Sequence, residues 1–205
     1  MMTTRTRARS GGFFLALATL LVLAGCGPEA PGTAASTPTP ALQGTLLGGS
    51  ATPNFSLPDQ NGHVITLASL AGHPVVFTFL DSTCTEQCPL TALALNQTQQ
   101  LLGPLSSQVE WVALSLDPWH DTPASAKAFL AENKVTLPIH WLLGTEAQLR
   151  PLWKAFHMEV EYTPTDIIHT VGLYILDARG REQVWLDAGF DPMMLNQDLR
   201  VMLAS

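Results

Sequence analysis

Charge is scarce in this 205-residue chain: only 13% of the residues are Asp, Glu, Lys or Arg, with 17 acidic against 10 basic. So few Lys and Arg exclude non-specific nucleic-acid binding, which depends on basic side chains meeting phosphates. Cysteine is scarcer still, with three residues, Cys26, Cys84 and Cys88. A bridge between Cys84 and Cys88 closes almost no loop and would stabilise little, because that stabilisation grows with loop length. The pair is therefore read as chemistry rather than as a staple. No internal repeat and no second domain is visible, while an apolar share of 46% supplies ample material for one core.

The one basic cluster, Arg5, Arg7 and Arg9, precedes an uncharged apolar run from Phe13 to Leu23. That run is shorter than the ~20 residues a membrane span needs and has the form of an export signal. It ends in Leu23-Ala24-Gly25-Cys26, which resembles a bacterial lipobox. The resemblance implies that residues 1–26 are a lipoprotein signal, with Cys26 lipidated and the protein held on a membrane facing the periplasm or cell exterior. Residues 27–52 are rich in Pro, Gly, Ala and Thr and read as a flexible tether. Export places Cys84 and Cys88 in an oxidising compartment.

A folded domain is expected over 53–205. Phe55 to Leu57 and His63 to Leu67 alternate around Asp59-Gln60-Asn61-Gly62, the signature of a β-hairpin. Pro74 to Leu80, Val109 to Leu116 and Val171 to Leu176 are apolar runs suited to buried strands, Ile139 to Leu143 suits a short strand, and Gln183 to Leu186 reads as an edge strand. Helices are expected over Pro89 to Leu102, Pro123 to Asn133 with Thr122 as its cap, Thr145 to Phe156, and Asp191 to Leu203. The alternation predicts an α/β fold, a mixed sheet with helices on both faces and the hairpin at its N-terminal side. Trp111, Trp141, Trp153 and Trp185, with Met158, Met193 and Met194, read as packing residues.

Cys84 and Cys88 follow a buried strand where a helix begins, and ligands collect at such strand ends. A helix N-terminus also favours thiolate, which is both metal ligand and redox nucleophile. The spacing C-x3-C sets two sulfurs one helical turn apart, within reach of one soft ion such as Cu(I) or zinc. Zinc usually wants four ligands, and the exported part offers two thiols, so low-coordinate copper fits better. By position alone, His120 and His169 can each supply an imidazole. Asp117 and Asp121 suit turn and cap chemistry or an orienting role beside the site.

Taken together, Cys84-x3-Cys88-Pro89, Asp117-Pro118-x-x-Asp121-Thr122-Pro123, and His169 ahead of Tyr174-Ile175-Leu176-Asp177-x-x-Gly180 resemble the SCO/SenC family. The resemblance implies a thioredoxin-like fold and copper, Cu(I) and also Cu(II), held by Cys84, Cys88 and His169. It also implies a partner that is the copper-carrying subunit of cytochrome c oxidase or another copper chaperone, and an accessible disulfide form of the pair. The chain departs from the family at Asp81-Ser82-Thr83, Glu86-Gln87 and Ile168, positions that bear on the partner surface more than on the ligands. The alternative is a thiol–disulfide oxidoreductase acting through Cys84 and Cys88, with His169 dispensable. A peroxiredoxin-like reading wants Thr three residues before the reactive cysteine, where Asp81 stands.

Overall fold

A computed structural model describes residues 41–164 and 166–205. In chain order the elements are β1 (Thr45–Ala51), β2 (Ser56–Pro58), β3 (Val64–Thr66), β4 (Val75–Leu80), α1 (Gln87–Leu102), β5 (Glu110–Ser115), α2 (Pro123–Glu132), β6 (Ile139–Leu142), α3 (Glu146–Ala155), β7 (Val160–Tyr162), β8 (Ile167–His169), β9 (Gly172–Leu176), β10 (Arg181–Asp187) and α4 (Pro192–Leu203). Six strands form one mixed sheet in the order β1-β10-β9-β4-β5-β6. β4, β5 and β6 run parallel, and β9, β10 and β1 are added antiparallel. No helix among the described residues is long and apolar enough to cross a membrane.

Successive strand side chains point to opposite faces, so the continuous apolar runs bury both. On β4, Val76 and Leu80 join Leu95 of α1, Phe129 of α2 and Leu199 of α4 in one core cluster. Val75, Phe77 and Phe79 face the other way, against Leu57 and Ile65 of the hairpin and Leu149, Trp153 and Phe156 of α3 or just beyond it. Capping fixes where the helices start: Thr122 and Ser125 form a reciprocal box at α2, and Thr145 and Gln148 do the same at α3.

The hairpin β2–β3 turns into the outer side of β6. Leu143 N donates to Pro58 O at 2.9 Å, Trp141 N donates to Gln60 Oε1 at 2.7 Å, and Gln60 Nε2 donates to Ile139 O at 2.8 Å. The primary amide of Gln60 thus occupies the place of a strand peptide.

Three expectations are corrected. First, the tether expected over 27–52 overlaps β1, which pairs with β10, so Gln183 to Leu186 is an interior strand and not an edge. The domain reaches back past residue 53: Gln43 N and Gly44 N donate to the Asp198 carboxylate at 2.6 and 3.1 Å. Gly44 runs so close to β10 that a Cβ there would lie 2.3 Å from Val184 Cγ1. Second, β7 and β8 form a separate two-stranded sheet that was not anticipated. Third, Met158 is packed as expected, but Met193 and Met194 of α4 are exposed. Residues 1–40, including Cys26, lie outside the described residues.

Candidate metal centre

The β4 chain leaves the sheet at Leu80 and passes through a tightly bonded loop before α1. Asp81 Oδ1 accepts from Thr83 N at 2.7 Å and from Thr83 Oγ1 at 2.8 Å. Asp121 accepts from Ser82 N at 2.8 Å and from Ser115 Oγ at 2.6 Å, tying the loop after β4 to the end of β5. Two aspartates thereby spend their lone pairs on loop donors, the use most common for buried polar groups.

Helix α1 begins at Gln87, two residues earlier than Pro89. Cys88 therefore lies inside its first turn and is buried, while Cys84 stands before the helix and half-exposed. The two thiols do not share a helix face as the spacing alone suggests. They meet because Cys88 N donates to Cys84 Sγ at 3.3 Å. A hydrogen bond from the Cys88 thiol is the largest influence on Cys84 and, with backbone N–H groups of Cys88, Glu86 and Gln87, brings it down to about 5 against the opposing effect of burial. Cys88 moves up, because its proton is held by Cys84 and because it is buried. The two thiols are thus unequal, Cys84 the more acidic and Cys88 the less.

His169 ends β8, and its Nδ1 lies 2.7 Å from Thr170 O. A carbonyl only accepts, so Nδ1 carries the hydrogen and Nε2 keeps the free lone pair. This is the arrangement that second-shell bonds impose on ligating histidines. Cys84 and His169 line one cleft of about 790 Å³, together with Asp117, Trp119, His120 and Tyr162. Among the described residues, no three His, Cys, Asp or Glu side chains already stand close enough to hold one ion. The donor set is chemically suited to copper, with two thiols and a free imidazole nitrogen, but His169 must approach the sulfurs to complete it.

Asp117 and Asp121 act on loops and on His120 rather than on His169. Asp117 accepts from Trp119 N and His120 N at 3.0 and 3.1 Å, and its second oxygen lies 2.6 Å from His120 Nδ1. That contact raises the basicity of His120, and burial raises that of the Asp121 carboxylate. Sequence reasoning missed Tyr162. Its hydroxyl donates to Leu116 O at 2.9 Å and its ring meets Trp119 edge-on at 4.6 Å, forming one wall of the cleft. The signal for this hairpin was present in the strand-like triplets Val160-Glu161-Tyr162 and Ile167-Ile168-His169, joined through Pro164.

A parallel βαβ unit with a dithiol at its first loop, flanked by a hairpin carrying histidine, defines a thioredoxin-like protein with a metal- or redox-competent thiol pair. The SCO1/SenC family model matches residues 44–204, and the chain belongs to that family. An SCO2-like protein of Rickettsia conorii is 25% identical over 69% of this chain and 72% of its own length. The chloroplastic peroxiredoxin Q of Oryza sativa subsp. japonica is 28% identical over 78% of this chain and 74% of its own. Among solved structures, copper-bound ScoI of Bradyrhizobium japonicum is 26% identical, with a TM-score of 0.67 over 75% of this chain and 99% of that one.

Proposed function

We propose that the chain is a membrane-tethered copper metallochaperone that holds copper on Cys84, Cys88 and His169 and passes it to a copper centre of cytochrome c oxidase during assembly. The observation that carries this reading is the close approach of the two cysteines, Cys88 N to Cys84 Sγ at 3.3 Å, with Cys84 on the same cleft as His169, whose Nδ1 is engaged by Thr170 O. Copper bound here would take both sulfurs as thiolates, and the lowered pKa of Cys84 favours that form. Membership of the SCO1/SenC family and the likeness to a copper-bound ScoI support the same cargo. Residues 1–26 serve as the lipoprotein signal, Cys26 carries the lipid, and the tether ends where β1 begins, on the periplasmic or outer side of a bacterial membrane.

The test is copper quantified per chain on the reduced full-length protein and on Cys84→Ala, Cys88→Ala and His169→Ala, with X-ray absorption to count sulfur and nitrogen neighbours. One copper bound by two sulfurs and one nitrogen is expected. Unchanged coordination in His169→Ala sinks the three-ligand site. For the anchor, Cys26→Ser should move the protein out of the lipid-modified fraction.

The inequality of the two thiols, with the peroxiredoxin Q likeness, favours thiol–disulfide exchange as the second reading. The Cys84 thiolate attacks a partner disulfide and expels one partner thiolate. Cys88, once deprotonated, then attacks Cys84 Sγ and releases the other. The partner gains two electrons and Cys84–Cys88 becomes the disulfide. Rapid reduction of a partner disulfide alongside weak copper binding would select this reading.

A further inference from the structure

Helix α1 carries no Asp, Glu, Lys, Arg or His along its 16 residues. Its solvent side nonetheless presents large apolar side chains: Leu90, Leu93 and Leu101 are 59%, 51% and 44% exposed. The neighbouring α4 adds Met193 at 66% and Met194 at 36%. The two helices are joined where Thr98 Oγ1 donates to Pro192 O and Arg200 donates to Leu101 O, so these side chains belong to one surface. The groove between Leu101 and Met193 also carries Gln97, Gln100 and Asp191, and exposed apolar side chains grouped on one face in this way mark an interaction site. The rest of the domain is strongly acidic: from residue 41 on there are 16 Asp and Glu against 7 Lys and Arg. The outer side of α3, by contrast, carries Glu146, Arg150 and Lys154.

We propose that the α1–α4 face rests on the lipid bilayer, with Leu90, Leu93 and Met193 in the acyl–headgroup boundary and Arg200 at the headgroups. Two observations select lipid as the occupant. An acidic domain is repelled by anionic headgroups where its carboxylates point outward; α1 carries none along its length, and α4 presents one on this face, its N-cap Asp191. The chain also reaches the domain on this side: Gln197 Nε2 donates to Ala41 O and Asp198 holds Gln43 and Gly44, all on α4. Only fourteen residues lie between Cys26 and Ala41, so a lipid on Cys26 keeps this side of the domain within reach of the bilayer. The proposal rests on the tether reading for that proximity. Its consequence is that Cys84, just ahead of α1, and Cys88, in its first turn, sit beside the membrane surface, level with an acceptor embedded there.

The experiment places benzoylphenylalanine at Leu93, at Met193 and, as the control, at Lys154 of α3, in the full chain reconstituted into phosphatidylethanolamine–phosphatidylglycerol vesicles. Irradiation should give phospholipid adducts at 93 and 193 but not at 154, detected by mass. Combined substitution Leu90→Gln and Met193→Gln should lower the adduct yield at 93 by about tenfold, from the lost apolar transfer, while Cys84 alkylation stays unchanged and reports an intact fold. Equal adduct yields at all three positions overturn the proposal. So does a protein adduct at 93 in native membranes without a lipid one, which would make this face a protein interface. Repeating the vesicle measurement with Cys26→Ser separates the two readings. With that chain added to preformed vesicles, adducts at 93 without lipid on Cys26 keep the docking face and remove the anchor. A lipidated chain without adducts does the reverse.

Discussion

The cysteine turn and the β7–β8 hairpin face each other across one cleft, yet they are held very differently. Around the thiols, Asp81 and Asp121 bind four loop and strand donors, and Cys88 is packed into the core with Leu95 and Trp111. The hairpin forms a sheet of only two three-residue strands and meets the main body through Val160 and Tyr162. The thiol half is thus preorganised, while the imidazole half sits on a small element whose local unfolding is inexpensive. For a carrier this division is useful. In the proposed copper site the thiolates would retain the ion, and the hairpin would carry the third ligand on an element separate from the core.

The sharpest way to break this comparison is to remove a sulfur. Cys84→Ser or Cys88→Ser should lower copper affinity by more than the ~10–100-fold that loss of an outer-shell partner costs, measured by competition with a chromogenic Cu(I) chelator. An equal effect from His169→Ala would abolish the distinction between the halves. That variant is expected to lose only about tenfold, near 1.4 kcal/mol, and the nitrogen shell in absorption spectra.

The unequal thiols are read by pH. With Cys84 brought down to about 5, its alkylation by iodoacetamide should be nearly flat between pH 6 and 8 and fall below pH 5 as the thiolate takes its proton. An ordinary thiol gains about tenfold per pH unit in the upper range, because its thiolate fraction is still rising there. Growth of that kind at Cys84 would remove the inequality of the two thiols.

Asp121→Ala strands Ser82 N and Ser115 Oγ and should destabilise the domain by about 1–3 kcal/mol, seen as a lower melting temperature together with altered Cys84 alkylation. The smallest effect is expected from Tyr162→Phe, about 0.5–1.5 kcal/mol. Hydrogen exchange should quicken over 160–169 and stay the same over 81–88. Quickening in both segments would mean that the two halves move together.

The thiol half was legible in the sequence because a buried apolar strand, a short loop and a helix start are local patterns. What sequence did not convey is that α1 begins at Gln87, which turns two equivalent cysteines into a buried thiol and a half-exposed, more acidic one. Strand β1 was hidden for a different reason. Its pairing slips between Leu46 and Ser50, where Gly48 and Gly49 take positive φ, so no period of two survives to be read. The β7–β8 hairpin was hidden by brevity: three residues per strand give too little alternation, and its place depends on a long-range contact from Tyr162 to Leu116. The choice of His169 over His120 came from family resemblance. The structure sets both rings on the same cleft and distinguishes them by partner, Thr170 O for one and Asp117 for the other.

Gln60 bears on how the molecule behaves in a crowd. The proposed tether would concentrate the protein on a surface, where neighbouring copies meet repeatedly and an open strand edge would recruit the next chain into a growing ribbon. At β6 the outward groups of residues 139, 141 and 143 are already engaged by the hairpin, and a side-chain amide completes the pairing without offering a further strand to extend. Gln60→Ala should therefore cost about 1–3 kcal/mol in folding by stranding Trp141 N and Ile139 O, and should also shorten the time a dense layer of molecules stays dispersed.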